Sequence, residues 1–318
     1  MTSSFALSVV APCFNEEAGL AAFVARMTAA AEAAVGADAY ELILVDDGSR
    51  DHTWSVIQGL SAAFPAIVGV RLSRNHGHQL AVTAGLSLVR GERVLIIDAD
   101  LQDPPELVGP MIQKLDDGFD VVFGRRRARA GESAFKLASA GIFYRTLSAL
   151  ADSDIPVDTG DFRLMSRRIV DRLNAMPERD RFIRGMVAWL GGRQTEILYD
   201  RDARVAGKTQ YTLRRMVRLA TDGLTSFSTA PLRLATVLAG LGVLAAFGLL
   251  SYALVGFLTG HATPGWTSLA VIVVFFSTAQ LICLAIFGEY LGRTYMQAKG
   301  RPLYLIDEIT AGRPREEV

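Results

Sequence analysis

The sequence predicts an α/β domain on a mostly parallel sheet, then an amphipathic interfacial helix and a two-helix transmembrane hairpin. Three observations predict it. Short apolar runs alternate with helical patterns over the first two thirds of the 318 residues, the order that gives a parallel sheet covered by helices. Polar clusters follow the apolar runs: Asn15-Glu16, Asp46-Asp47, Ser73–His78 and Asp98–Asp103. Two stretches near the C-terminus, Ala235–Leu258 and Trp266–Gly288, contain no Asp, Glu, Lys or Arg.

In chain order, Leu7–Ala11 predicts a first strand ending at Pro12, and Glu17–Ala34 an alanine-rich helix. Glu41–Val45 predicts a second strand and Asp51–Phe64 a helix with Asp51 as N-cap. Val68–Leu72, Arg93–Ile97 and Asp120–Gly124 follow as strands, separated by helices at Gln79–Val89 and Pro105–Asp116. Asp103 is placed to cap the latter, with the prolines fixing its first turn. In such a sheet ligands bind beyond the carboxyl ends of the strands, where the four polar clusters should converge. Beyond residue 125 the pattern loosens: a helix over Phe135–Leu150, a polar turn and strand over Asp158–Leu164, and a helix over Ser166–Asn174.

Each uncharged stretch would span roughly 34–36 Å as a helix, enough for a hydrocarbon core of about 30 Å. The connection Thr259–Gly265 has no Lys or Arg, whereas Arg233 precedes the pair and Arg293, Lys299 and Arg301 follow it. That asymmetry places both flanks in the cytoplasm. Just before the first span, Tyr211–Thr225 sets Arg214, Arg215 and Arg218 against Leu213, Met216, Val217 and Leu224, a composition suited to a membrane interface. The expected organisation is a cytoplasmic domain over 1–210, an interfacial helix over 211–230, the spans within 231–290, and a cytoplasmic tail over 291–318.

Formal net charge is +0, so no global field draws nucleic acid. Lysine is confined to Lys114, Lys136, Lys208 and Lys299, and every other basic residue is arginine, whose planar fork suits phosphate or reflects base composition. Cys13 and Cys283 form no pair or zinc spacing and read as buried thiols. No P-loop, nucleophile elbow or dinucleotide fingerprint follows a strand. Asp98-Ala99-Asp100 ends an apolar strand, and residues two apart in extended backbone face the same way. Two carboxylates and phosphate oxygens suit Mg2+ or Mn2+.

With these blocks in view, Pro12-Cys13-Phe14-Asn15-Glu16-Glu17, Val45-Asp46-Asp47-Gly48-Ser49 and Asp98–Glu106 together resemble family 2 glycosyltransferases of the Rossmann-like glycosyltransferase-A fold. Gly160–Leu164, Arg181–Gly185, Ser226–Arg233 and Gly288–Arg293 resemble the bacterial polyisoprenyl-phosphate branch, relatives of dolichol-phosphate mannose synthase. The resemblance runs from about residue 6 to about 308.

It implies that Pro12, Asn15, Glu16 and Asp46 line a nucleotide pocket, with Asp46 accepting a bond from the base. It implies that Asp98 and Asp100 hold the metal diphosphate with Gln102 close by, and that Asp161 is the catalytic base or an acceptor-site carboxylate. Arg125, Arg126, Arg184 and Lys208 are candidates for the acceptor phosphate; Lys208 lies in a block, Ala206–Tyr211, that keeps a hydroxyl at Thr209 where relatives carry serine. The implied partners are a nucleotide-sugar, a polyisoprenyl phosphate, the membrane and a second copy of the chain.

The implied activity is inverting transfer of a hexose, with UDP-glucose the preferred donor and UDP-galactose, GDP-mannose and an aminoarabinose donor as alternatives. A processive synthase fits less well, since Trp189 is preceded by Ala188 rather than the arginine of a QxxRW block, and only two spans are read. A catalytically silent nucleotide-sugar-binding membrane protein is the rival of a different class.

Overall fold

The computed structural model describes residues 5–127, 159–200, 230–259 and 265–310. The helix expected over 135–150, the interfacial helix up to residue 229, Lys208 and its block, and the chain beyond residue 310 lie outside the described residues.

The described chain divides into two compact units. The first holds an eight-stranded sheet: β1 (Leu7–Cys13), β2 (Tyr40–Asp46), β3 (Ile67–Leu72), β4 (Arg93–Ile96), β5 (Val121–Arg126), β6 (Thr159–Ser166), β7 (Gln194–Tyr199) and β8 (Ile306–Ile309), in the order β7-β5-β6-β4-β1-β2-β3-β8. β1 pairs in parallel with β2 and β4, β2 with β3, and β5 with β7. β6 runs antiparallel between β4 and β5, and β8 antiparallel on β3. The strand expected from 158 is β6, begun one residue later.

Helices cover both faces: α1 (Leu20–Val35), α2 (Thr53–Ala63), α3 (His78–Leu86), a 3-10 turn (Pro105–Leu107) leading into α4 (Val108–Asp116), α5 (Arg167–Ala175) and α6 (Ile183–Leu190). Alternation along the strands sorts the core. Leu7, Val9, Ala11, Leu42 and Leu44 pack on the side of α1, α2 and α4 with Phe23, Ile57 and Met111. Val10, Ile43 and Val45 pack on the side of α3, α5 and α6 with Val82, Ile169 and Met186. Strands buried on both faces read as continuous apolar runs, which is why β1 and β2 stood out in the sequence. Pro12 fits inside β1 because pairing to β4 has ended at Val10, so its missing N–H breaks no bond on that side.

One capping expectation is corrected. α2 begins at Thr53 with His52 in the cap position, and Asp51 acts one residue earlier, its Oδ1 accepting the N–H and hydroxyl of Thr53 at 3.0 and 2.6 Å. The 3-10 turn has Pro104 in its cap position, and the Asp103 carboxylate before it accepts the hydroxyl of a distant tyrosine, Tyr199.

Gly124 in β5 has a packing reason. A Cβ there would lie 2.5 Å from Phe162 Cδ1 and 2.9 Å from Tyr199 Cε1. Gly124→Ala should therefore lower stability by about 1–3 kcal/mol through overpacking, read as an earlier unfolding midpoint in denaturant; an unchanged midpoint would show that the two rings yield freely.

The second unit is a hairpin of α7 (Ala230–Leu258) and α8 (Trp266–Ala298), both long and apolar enough to cross a membrane. Cys283 Sγ lies 3.6 Å from the Ala235 carbonyl, and the Gly242 position faces Phe276, so the helices run antiparallel. Leu244, Phe247, Leu250, Val274 and Phe275 are exposed, as side chains meeting lipid would be. α8 continues beyond the uncharged stretch, its polar last turns carrying an Arg293–Glu289 pair at 3.0 Å.

The segment expected to be a tail returns to the first unit. Leu305 O accepts the Ser73 N–H at 2.9 Å, Tyr304 donates to Ser87 Oγ at 2.9 Å, and Thr310 Oγ1 accepts the Gly69 N–H at 2.7 Å. A Cβ at Gly69 would crowd both neighbours, 2.5 Å from Ile57 Cγ2 and 3.1 Å from Thr310 Cγ2.

Candidate active site

Strand directions place the carboxyl ends of β1 to β5 and β7, and the start of β6, along one edge of the sheet. The polar clusters gather there. At one end, the loops after β1 and β2 are stitched together. Asn15, in a left-handed conformation (φ 57), donates its N–H to Ser49 Oγ at 3.0 Å and accepts the Arg50 N–H on Oδ1 at 2.9 Å. The Glu16 N–H donates to Thr53 Oγ1 at 2.9 Å.

Asp46 is fully buried. Its Oδ1 accepts the Ser49 N–H at 3.0 Å, while Oδ2 has no hydrogen-bond partner and lies 4.0 Å from Arg71 Nε. A buried acceptor left open is costly unless a ligand completes it. Asp47 instead holds the loop after β3, accepting the N–H groups of His76 and Gly77 at 2.7 and 2.9 Å. Gly48 (φ 67) lets that loop approach, since a Cβ would sit 2.5 Å from the backbone of Arg74 and Asn75.

β4 stops at Ile96, so Asp98 and Asp100 lie in the loop beyond it. Leu101 takes a left-handed conformation (φ 60), and Asp100 Oδ1 accepts the Gln102 N–H at 3.1 Å. Gln102 is buried. Burial pushes the Asp98 carboxyl up to about 6; neighbouring His78 pulls the other way, and Asp161, Asp103 and Asp100 add to the rise. Asp98 Oδ1 has no hydrogen-bond partner. A crowded, incompletely bonded carboxylate with a second one two residues on fits a hard divalent cation. Among the described residues no group of three or more His, Cys, Asp or Glu side chains could hold a metal by itself, so phosphate or water oxygens would complete the shell.

Asp161, near the start of β6, is the hub of a third cluster. Its Oδ2 meets His78 Nε2 and Gln79 Nε2, both at 2.9 Å, and its Oδ1 lies 3.0 Å from Arg184 Nε. Gln79 also accepts the Ile183 N–H at 2.9 Å, tying α3 to the start of α6. Burial would raise the Asp161 carboxyl, but the His78 bond and the Arg184 charge outweigh it and hold it far below the usual carboxylate range. For His78, burial lowers the imidazole, yet the Asp161 bond and the Asp98 charge, 3.7 Å away, lift it to about 9. Arg163, two residues beyond Asp161, is buried with its Nε unbonded.

The two arginines that end β5 part company, as adjacent strand residues must. Arg126 Nε donates to the Tyr199 hydroxyl at 3.4 Å; burial lowers the guanidinium pKa, but that bond, with the Asp103 and Asp98 charges behind it, outweighs burial and raises it. Arg125 pairs with Glu196 at 3.0 Å, both half-exposed. The edge thus brings together Pro12, Asn15, Glu16, Asp46, Asp98, Asp100, Gln102, Arg126, Asp161 and Arg184. The sequence reading missed Arg71, Gln79, Arg163 and Tyr199, and placed His76 and His78 only within one of the four polar clusters. The remaining signal was position: His78 and Gln79 follow a strand end, as Asp98 does.

The family model described as "Glycosyl transferase family 2" matches residues 8–173. The "Uncharacterized glycosyltransferase YkcC" of Bacillus subtilis (strain 168) is 42% identical over 312 residues, 97% of this chain and 95% of that protein. The "Prophage bactoprenol glucosyl transferase homolog" of Escherichia coli (strain K12) is 35% identical, covering 95% of this chain and 99% of its own. The "Bactoprenol glucosyl transferase" of Shigella phage SfII is 35% identical over 97% of this chain and 99% of its own. Among solved structures, "Mannosyltransferase PcManGT from Pyrobaculum calidifontis in complex with GDP-Man and Mn2+" matches at TM-score 0.47 and 18% identity, over 88% of this chain and 87% of that one.

Proposed function

This chain belongs to glycosyltransferase family 2, and from that premise we propose that it transfers glucose from UDP-glucose to a polyisoprenyl phosphate such as undecaprenyl phosphate, with inversion. The observation that carries the proposal is the sharing of one sheet edge by the Asp98–Asp100 loop and the His78–Asp161–Arg184 cluster. One suits a donor diphosphate with its cation, the other an acceptor phosphate. Relatives named bactoprenol glucosyl transferase, aligned over nearly the full length, support the sugar and the lipid.

The residues take these parts. Asp46 Oδ2 accepts a donor N–H of the base, with Arg71 beside it. Asp98 and Asp100 would hold Mg2+ or Mn2+, which neutralises charge on the departing diphosphate. An oxygen of the lipid phosphate attacks the anomeric carbon as the bond to the UDP oxygen breaks, and the bonding pair leaves with UDP. A phosphate monoester is already largely ionised near neutral pH, and a carboxylate as firmly paired as Asp161 is a weak proton acceptor. Asp161 therefore works by holding His78 and Arg184 where the acceptor phosphate must sit, catalysis by positioning and electrostatics. Arg126 approaches from the β5 side. The hairpin lies in the cytoplasmic membrane with the catalytic unit on the cytoplasmic side, as the basic flanks favour.

Purified full-length protein in detergent, given undecaprenyl phosphate, Mg2+ or Mn2+, and one labelled nucleotide-sugar at a time, should move label into the organic phase from UDP-glucose only when the metal is present. Transfer from UDP-galactose, GDP-mannose or an aminoarabinose donor instead would replace the sugar and keep the reaction. Folded protein that transfers from none of them would favour the silent binder.

A further inference from the structure

Tyr199, the last residue of β7, meets two parts of this edge at once. It stands opposite Arg126 in the β5–β7 register, its ring filling the space that Gly124 leaves and lying edge-on to Phe162 at 5.7 Å. Packing alone would place the ring. The hydroxyl does something further: it donates to buried Asp103 Oδ1 and accepts from Arg126 Nε. Asp103 closes the loop that starts at Asp98 and turns at Leu101, in a backbone conformation leucine seldom adopts. Such a loop needs an outside hold, and the Asp103–Tyr199 bond supplies one from a strand 96 residues away.

Resting on the reading of Asp98 and Asp100 as the seat of a divalent cation and diphosphate, we propose that Tyr199 is a positioning residue for donor binding. Its hydroxyl joins Asp103 and Arg126 at one oxygen, and so sets the Asp98–Asp103 loop in the shape that receives a nucleoside diphosphate with its cation. Tyr199→Phe keeps the ring against Phe162 and removes only this junction. Asp103 then loses the Tyr199 donor, Arg126 loses the Tyr199 acceptor, and the loop loses this tie to β7.

The test is Mn2+ binding to the full-length protein in detergent with UDP present, read from the free-ion electron paramagnetic resonance signal. Tyr199→Phe is expected to need about tenfold more Mn2+ for half-saturation. Asp103→Ala should shift in the same direction, and the double variant should be no weaker than the weaker single one, because both changes cut the same link. Asp103→Ala also carries the test alone if Tyr199→Phe does not fold. Wild-type affinity in Tyr199→Phe, even with a lower melting temperature, would reduce the hydroxyl to a structural bond and overturn the proposal, as would losses that multiply in the double variant. Wild-type protein that binds Mn2+ with UDP yet glucosylates no lipid would sink the proposed reaction while leaving this role for Tyr199 intact. Wild-type protein that binds no Mn2+ with UDP would sink both.

Discussion

Asp98→Asn should lower turnover by about two to three orders of magnitude, the usual scale for removing one preorganised electrostatic contact from a transition state. The substitution is nearly isosteric, so the effect is chemical. The Asp98 carboxylate is largely buried beside Asp161, Asp103 and Asp100; burial and those charges push it up to about 6 against the pull of His78. A charge held there against such opposition destabilises the empty protein and serves a ligand that brings positive charge. Asparagine removes the repulsion together with the function, so the melting temperature without ligand should stay level or rise. Turnover at saturating donor and acceptor, set beside a melting curve, checks both halves. Activity within tenfold of wild type would mean that the cation, if any, sits elsewhere; a lower melting temperature would mean that the His78 contact outweighs the carboxylate crowding.

Asp161→Asn is the second large effect, and it reaches both activity and stability. Its carboxylate is buried against His78, Gln79 and Arg184. Removing one partner of a buried charge group typically costs about 3–5 kcal/mol, and losing the placement of two cations should lower turnover by about two orders of magnitude. The pH dependence separates positioning from proton transfer. A depressed carboxylate contributes stability above its unfolded value, about 3.9, and loses it only as pH falls through the still lower folded value, so Asp161 adds no slope between pH 5 and 8. His78 has the opposite sign. Its folded value, about 9, lies above the unfolded value of about 6.5, so its stabilisation is complete below about pH 6.5 and is lost as pH rises through 9. Asp98, Asp161 and Arg184 are the charged groups that set it. Melting temperature should therefore decline over that window in wild type, and the decline should shrink in Asp161→Asn. An equal decline in both proteins would detach His78 from Asp161. An acid limb in turnover that vanishes in Asp161→Asn would restore Asp161 as a base.

Much of this fold was legible in residue order, and the limits of legibility have physical causes. β1 to β5 announced themselves as short, mostly apolar runs, as strands covered on both faces tend to be, β6 was read as the strand after a polar turn, and the carboxylates beyond β2 and β4 followed from the geometry of a parallel sheet. β7 escaped because it is an edge strand, and Gln194–Tyr199 mixes polar with apolar residues. α6 escaped because its eight residues follow an irregular stretch and hold little more than two turns of pattern. β8 has only four residues, two of them acidic. Within the site, Asp98 and Asp161 could be named from motif resemblance, but not the histidine between them, since local sequence carries no record of contacts 83 residues apart. Asp103 was read only for its local place before two prolines; its bond to Tyr199 reaches a strand the sequence had not revealed. The split between Arg125 and Arg126 was available in principle, since neighbours on a strand face opposite ways.

β8 carries a consequence for how the chain threads a bilayer. It hydrogen-bonds to β3 within the same sheet as β1 to β7, although the helical hairpin lies between it and them in the chain. A strand cannot be laddered to a sheet from the far side of a membrane. The polypeptide that departs after β7 must therefore come back to the compartment it left, and the number of crossings between Tyr199 and Ile306 is even whatever path the intervening residues take. Parity here is enforced by backbone hydrogen bonds rather than by the distribution of lysine and arginine. A hairpin of which only one helix crossed would strip β3 of its neighbour, so an even number of crossings and completion of the catalytic sheet go together.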